Sequence, residues 1–306
     1  MAYAVTPITL LSPHPQTDDK NLIVVNAADN PISVDWEDDT LASLNNPAYP
    51  PELVVGQSPL IFSQGTATKS TSWIQVMFNF FGRGISFNTL GLIYHNSGDI
   101  GTIDAEAWIW DPGLVNPLMI ASQTFTDNQR KMAHLTNQYN NVEFLAFRFT
   151  NPSGFAVGDS FRLGLAIAGN RYQLARRPDE PVSLNAAQSY AKEHRSDLGG
   201  FERYPQGKGL RDLRLTWRPS TQDGGQYPGT WNDAAMLDSV YVATEGWTKP
   251  FAWCPSPNVS PKEFFWMQNK DMKHDIKHVS GNTLKSASYG FREMAPSFDS
   301  EVHGWT

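Results

Sequence analysis

The sequence predicts a mainly β protein, two β-sandwich units in series with one packed helix in the second. Three observations predict it. Aromatic residues are abundant, with 10 Trp, 10 Tyr and 17 Phe, and such residues favour the pleated, half-buried surface of a strand. Turn formers are frequent, with 23 Gly and 21 Pro, as many short strands joined by tight turns require. Apolar residues also alternate with polar ones over several short runs, the period of a strand with one wet face. At 306 residues, 40% hydrophobic and 18% charged, the chain has the composition of a folded protein and the length for two cores.

In chain order, residues 1–20 carry Pro7, Pro13 and Pro15 and the polar run Gln16 to Lys20, and read as an extended N-terminal arm. The run Leu22-Ile23-Val24-Val25 opens a first sandwich over residues 21–170. Its further strands are Trp73 to Phe78, Ile85 to Leu90 with Leu90 to His95 as a buried continuation, Ala105 to Trp110, Phe144 to Phe149 and Phe161 to Ile167. Asp111-Pro112-Gly113 is a turn. Phe147-Arg148-Phe149 and Phe161-Arg162-Leu163 place the arginines on a wet face.

Residues 171–205 are rich in charge and poor in periodicity and read as a connector, with a short helix from Ala186 to Arg195 stopped by Gly199-Gly200. A second unit, residues 206–295, follows. Leu213, Leu215 and Trp217 alternate with Asp212, Arg214, Thr216 and Arg218 as a half-buried strand. Asn232 or Asp233 caps a helix from Ala234 to a stop at Gly246, with Met236, Leu237, Val240 and Tyr241 on one docking face. Phe251 to Cys254, Phe264 to Met267 and Ser286 to Phe291 are further strands. Residues 296–306 form a C-terminal tail.

Composition excludes several functions. The formal charge is −7 and the 24 basic residues are scattered, whereas nucleic-acid binding needs them in patches. Cys254 is the only cysteine, so neither a disulfide framework nor a Cys-rich metal site is expected. The start lacks a basic segment followed by an apolar run, and no apolar stretch approaches the roughly 20 residues of a membrane helix. The expectation is a protein without membrane insertion, made in a cytoplasm and retained there or packed into an assembly.

Candidate chemistry is sparse. His274 and His278 stand four apart, a metal-ligand spacing on a helix, but Lys273 and Lys277 beside them disfavour a cation, so the stretch reads as solvated. Asp35, Glu37, Asp38 and Asp39 lack the glycine and spaced ligands of a calcium loop and read as a solvated acidic turn. There is no nucleophile elbow, phosphate loop or dinucleotide fingerprint, and Cys254 lies in an apolar run that suits a buried thiol. No catalytic residue, cofactor or metal site is assigned, and the chain is not expected to be an enzyme. The tryptophans could stack on sugars, but most lie in strand patterns that suit core packing. Trp231 and Trp247, beside turn residues, are the expected surface aromatics.

Two stretches carry a resemblance. The helix followed by Gly246-Trp247-Thr248-Lys249-Pro250-Phe251-Ala252-Trp253, with the closing Phe291-Arg292-Glu293, resembles the tube-like β-sandwich domain of distal tail and minor tail proteins of long-tailed, siphovirus-type bacteriophages. Ser70 to Phe78 with Leu90 to Gly98, including His95-Asn96, resembles the galactose-binding-like jelly roll inserted in tail and tail-tip proteins. There the His-Asn pair is structural. The resemblance implies a structural virion protein of the tail, assembled in the bacterial host cytoplasm. It would form a homo-hexameric ring joining the tail tube to tip or receptor-binding proteins. Leu213, Leu215 and Trp217 would form the ring's inner wall. Met236, Leu237, Val240, Tyr241 and Trp247 would complete the assembly interface, and Trp231 would be a surface aromatic contact. The alternative is a carbohydrate-binding adhesin or accessory module that contacts a host glycan through the first unit. A hydrolase is the third class, disfavoured by the missing acid and nucleophile motifs.

Overall fold

The computed structural model describes residues 21–56, 61–110, 116–126, 131–174, 183–186, 191–195, 201–205, 211–217, 229–254, 264–270, 274, 276–280 and 284–294. The turn expected at Asp111-Pro112-Gly113, the N-terminal arm and the C-terminal tail lie outside these residues. The first half contains β1 (Asn21–Asn26), β2 (Ser33–Asp38), β3 (Ser63–Thr66), β4 (Thr71–Asn79), β5 (Ile85–His95) and the short α1 (Ser97–Ile100). It continues with β6 (Ile103–Trp110), β7 (Leu118–Phe125), β8 (Lys131–Val142), β9 (Phe144–Phe155) and β10 (Ser160–Leu174). The second half contains β11 (Ser183–Ala186), β12 (Ala191–Arg195), β13 (Phe201–Pro205), β14 (Arg211–Trp217) and α2 (Gly229–Ala243). It closes with β15 (Phe251–Cys254), β16 (Phe265–Asn269), β17 (Ile276–Ser280) and β18 (Leu284–Glu293). The mainly β, sandwich-type fold with one packed helix is the one the sequence predicts, and Ile85 to His95 is one continuous strand. Among the described residues, no helix is long and apolar enough to cross a membrane.

A five-stranded antiparallel sheet, in the order β2-β4-β9-β6-β7, packs on a long sheet that includes β8, β5, β10 and β3. Alternation along each strand sends one set of side chains into the gap. Trp36, Ile74, Val76, Phe78, Phe147 and Phe149 meet Phe87, Leu90, Phe161 and Leu163 in one buried cluster. Trp36 sits deepest. Its Nε1 donates to Ser63 Oγ at 2.6 Å, and its ring lies on Gly65, where a Cβ would stand 2.7 Å from an indole carbon. Only glycine fits there.

The long sheet runs on through β1 in the order β11-β14-β18-β16-β15-β1-β10-β5-β8. β1 pairs antiparallel with β10 on one side and with β15 on the other, Ile23 opposite both Tyr172 and Trp253. The two units therefore share one sheet, and the run that opens the first unit is also its seam with the second. Ile23 and Val25 join the cluster under α2, whereas Leu22 and Val24 join the cluster on the opposite face. A strand covered on both faces needs apolar residues at every position, and Leu22-Ile23-Val24-Val25 supplies them.

Two expectations of local structure are corrected. The helix expected from Ala186 to Arg195 is absent: Ala191–Arg195 is strand β12, paired antiparallel with β13, Glu193 opposite Arg203 and His194 opposite Glu202. The partner is the next strand in sequence, but Lys192-Glu193-His194-Arg195 is charged or polar throughout and leaves no apolar strand period to read. Helix α2 begins at Gly229, directly after Pro228, so Asn232 and Asp233 lie inside it and do not cap it. Their short side chains favour a cap but are tolerated within a helix that packing secures. The helix end is as expected: Gly246 N–H reaches back to Tyr241 O at 2.8 Å and Glu245 N–H to Val242 O at 3.0 Å, with Glu245 and Gly246 left-handed at φ 51° and 74°.

Candidate functional site

The outer face of the five-stranded sheet is the most chemically furnished surface among the described residues. On β4, Ile74, Val76 and Phe78 point inward, so Trp73, Gln75 and Met77 point outward. On β6 the inward residues are Ile103, Ala105, Ala107 and Ile109, which leaves Asp104, Glu106, Trp108 and Trp110 half-buried on the outer face. β9 lies between them and contributes Arg148, which the register places beside Gln75 on one strand and Glu106 on the other. Glu37 of β2 pairs with Gln75 in turn. One row across the sheet thus reads Glu37, Gln75, Arg148, Glu106.

Arg148 organises this row. Its guanidinium carbon lies 4.2 Å from the Trp73 ring centroid and 4.8 Å from that of Trp108, a cation between two indoles. Nε and Nη2 donate to Gln75 Oε1 at 3.3 and 3.2 Å. An arginine has about five N–H donors, so about three remain open. Gln75 donates to Glu37 Oε2 at 3.0 Å, and Trp108 Nε1 donates to Glu106 Oε2 at 2.8 Å. Asp35 Oδ1 accepts from Asn45 at 3.1 Å, and Asp104 Oδ1 accepts from Thr124 at 2.6 Å. Each carboxylate is thereby oriented through one oxygen, and the other has no hydrogen-bond partner among the described residues.

The local charges bear on the titration of two groups. Burial raises the Glu37 carboxyl above its ordinary range; the Gln75 bond opposes this, and the Asp35 and Asp38 charges add to it. Burial likewise draws the Arg148 guanidinium down, against the pull of Glu106, although an arginine remains charged throughout. Beyond the polar row, at the end of the sheet where β4 turns to β5, stand Ile32, Phe81 and Leu118, at 53%, 64% and 43% exposed. Phe81 lies 6.4 Å from Phe144 between ring centroids.

The residues singled out in the sequence fall elsewhere. Trp247 is fully buried in the chain's own core, ringed by Tyr241, Phe251, Tyr289 and Phe291. It is not a surface aromatic, because the turn beside it folds the indole inward: Trp247 is itself left-handed at φ 68°, and its N–H is held by Thr244 Oγ1 at 3.2 Å. Leu215, Leu237 and Val240 are buried with it, and Met236 and Tyr241 pack against the same cluster. Within the chain, Leu215, Leu237, Val240 and Trp247 are enclosed, whereas Met236 and Tyr241 are partly buried. β14 also lies between β11 and β18, so Leu213, Leu215 and Trp217 sit on an interior strand. Trp231 falls in the first turn of α2, not in a loop.

Two further expectations change. His274 is not simply solvated. Nε2 bonds Asp238 Oδ1 at 2.6 Å, Nδ1 bonds the Tyr289 hydroxyl at 3.0 Å, and the ring stacks on Tyr241 at 4.4 Å. Partners on α2 and β18, brought near only by the fold, gave no local signal. Among the described residues no three His, Cys, Asp or Glu are placed to hold a metal ion. The acidic turn is a structured one: Asp38 is buried, accepts Thr40 N–H at 2.8 Å, Thr40 Oγ1 at 2.7 Å and Ala42 N–H at 3.1 Å, and pairs with Lys69 at 3.2 Å. Burial alone would raise its carboxyl, but these bonds outweigh it and hold it down to about 2. The His95-Asn96 pair lies within the framework. Asn96 donates to Ser160 O at 3.0 Å and accepts from Arg162 N–H at 2.7 Å, and His95 stacks on Phe125.

Sequence reasoning missed Trp73, Trp108, Trp110 and Glu106 because it read the strand tryptophans as core. The usable signals were Arg148, whose wet face the pattern of β9 identifies, and Asp104 and Glu106, whose alternation with Ile103, Ala105 and Ala107 places Trp108 and Trp110 on the wet face of β6.

No protein-family model matches the chain, and no curated protein matches it. Among solved structures, the chain is similar to the family 32 carbohydrate-binding module of NanJ from C. perfringens, solved with galactose. The identity is 8%, the coverage 48% of this chain and 98% of that one, and the TM-score 0.37. It is similar to chitosan-binding module 1 of a chitosanase/glucanase from Paenibacillus sp. IK-5, at 10% identity over 46% and 96% of the two chains with a TM-score of 0.35. It is also similar to a Ruminococcus gnavus GH29 fucosidase, at 10% identity and a TM-score of 0.34, where the match covers 47% of this chain and spans only 26% of the fucosidase.

Proposed function

We propose that this chain is a non-catalytic carbohydrate-binding protein that holds a sugar on the outer face of its five-stranded sheet. The observation that carries the proposal is the Trp73–Arg148–Trp108 ladder with its open hydrogen-bonding valences. A pyranose has an apolar C–H face and a polar rim. Indole rings cover the first, and fixed guanidinium and carboxylate groups bond the second. Here the polar groups are already oriented by Gln75, Trp108 and Thr124, so binding requires little ordering of side chains. They also stand on strands, which hold a constellation more rigidly than loops do. The carboxylates are engaged in holding the lattice together, a positioning role and not an acid–base pair. A location in a phage tail, which the C-terminal resemblance implies, would set this face against host surface glycans.

The test is a glycan array with the full chain, followed by titration calorimetry on the best binder. Trp108→Ala and Arg148→Ala should each weaken binding about tenfold, near 1.4 kcal/mol, with the unfolding midpoint little changed. An array without binders, or a Trp108→Ala protein that binds as tightly as the parent, would sink the proposal.

A further inference from the structure

The same face carries a charge that selects among glycans. The outward side chains of its strands include four acids, Asp35, Glu37, Asp104 and Glu106, against one base, Arg148. One positive against four negative leaves a net of −3. The remaining outward residues near them, Trp73, Gln75, Met77, Thr150, Trp110, Ser122 and Thr124, bring no cation. Arg148 itself is already flanked by Glu106 and by two indoles.

Resting on the carbohydrate reading, we infer that the ligand is a glycan bearing free amino groups, bound in preference to its N-acetylated form and against uronic acids. Three features of the face act together. Ammonium groups on a sugar find carboxylates with an open oxygen on both sides of the ladder, at Asp35 and Glu37 on β2 and at Asp104 and Glu106 on β6. A cation is also welcome beside an indole, and Trp108 and Trp110 follow each other on β6 at a two-residue spacing of roughly 7 Å. An acidic sugar would instead bring like charge against these carboxylates, which is how an interface excludes a wrong partner.

The experiment uses the full chain and three linear oligosaccharides of equal length: glucosamine, N-acetylglucosamine and galacturonic acid oligomers. It is run at a pH where the amines are protonated and the carboxylates ionised. The glucosamine oligomer should bind about fivefold more tightly than the N-acetylated one, the scale of one exposed ion pair, and the galacturonic acid oligomer most weakly. That preference should shrink as salt is added and in the Asp35→Asn, Asp104→Asn double variant. Equal or tighter binding of the uronic acid oligomer, or a preference indifferent to salt, would overturn the charge selection and leave the carbohydrate reading standing. Binding of no glycan on the array would overturn both.

Discussion

Trp108 and Trp247 are the same residue type put to opposite ends by what surrounds them. Around Trp247 the chain supplies its own partners, with Tyr241, Phe251, Tyr289 and Phe291 closing every side. Around Trp108 the described residues supply one cation and one carboxylate, and the indole stays partly exposed. The first arrangement stabilises the fold and the second offers a ligand its contacts. The contrast teaches that proximity to a turn says little about exposure. What decides it is which face of a strand or turn the remaining sequence comes back to cover.

The strongest way to break this contrast is to delete each indole and measure stability. Trp247→Ala opens a cavity in a core that α2, β15 and β18 all enclose, and should cost about 3–5 kcal/mol in chemical denaturation. Trp108→Ala removes a half-buried side chain and should cost far less. Equal losses would mean that the outer face is a structural ladder and not an open one.

The acids repeat the contrast along a single strand. Glu37 and Asp38 are neighbours on β2, on opposite faces, and their carboxyls move in opposite directions. Glu37 keeps an open oxygen on the outer face. Asp38 is buried, with Oδ1 accepting from Thr40 and Ala42 and Oδ2 paired with Lys69. Asp38→Ala should cost about 2–3 kcal/mol, the range for bonds to a buried charged group. The lowered carboxyl fixes the pH dependence: its stabilisation is present above the ordinary 3.8 and is lost as pH falls from there through about 2. An acid titration in which the parent and Asp38→Ala proteins lose stability in parallel would show that the closed turn contributes nothing.

How much of this was legible follows from where each signal resides. The strands around Val76, Trp108, Phe147 and Leu165 carry their period locally, so their positions could be read directly. Leu22 to Val25 announced a buried strand, but its bridging of β10 and β15 depends on partners more than 140 residues away, as the Ala168 N–H to Asn26 bond illustrates with a separation of 142. The hairpin β12–β13 is local, but its first strand, Ala191-Lys192-Glu193-His194-Arg195, is almost wholly charged or polar and shows no apolar alternation from which to read a strand. At the candidate site, Arg148 was visible as a wet-face residue; Trp108 and Trp110 continue the face of Asp104 and Glu106, but as large apolar side chains they read as core. The docking face read at Met236, Leu237, Val240 and Tyr241 packs into the cluster around Trp247. What it docks on is the chain's own sheet.

The smallest effect tests how the closed cluster is finished. His274 lies beside Trp247 at 6.1 Å between ring centroids, and ties the segment before β17 to Asp238 of α2 and Tyr289 of β18. Stacking on Tyr241 and the two hydrogen bonds are separable contributions. His274→Phe keeps an aromatic ring against Tyr241 and loses both bonds. His274→Ala loses the ring as well. Asp238 is half exposed, so water compensates for much of the first bond, and the phenylalanine variant should cost only about 1 kcal/mol. The alanine variant should cost about 1 kcal/mol more, the value of an aromatic pair beyond simple burial. Denaturation curves of the three proteins decide between these roles. If the phenylalanine variant were as unstable as the alanine variant, the bonds and not the stacking would hold the segment; if it matched the parent, the ring alone would complete the cluster around Trp247.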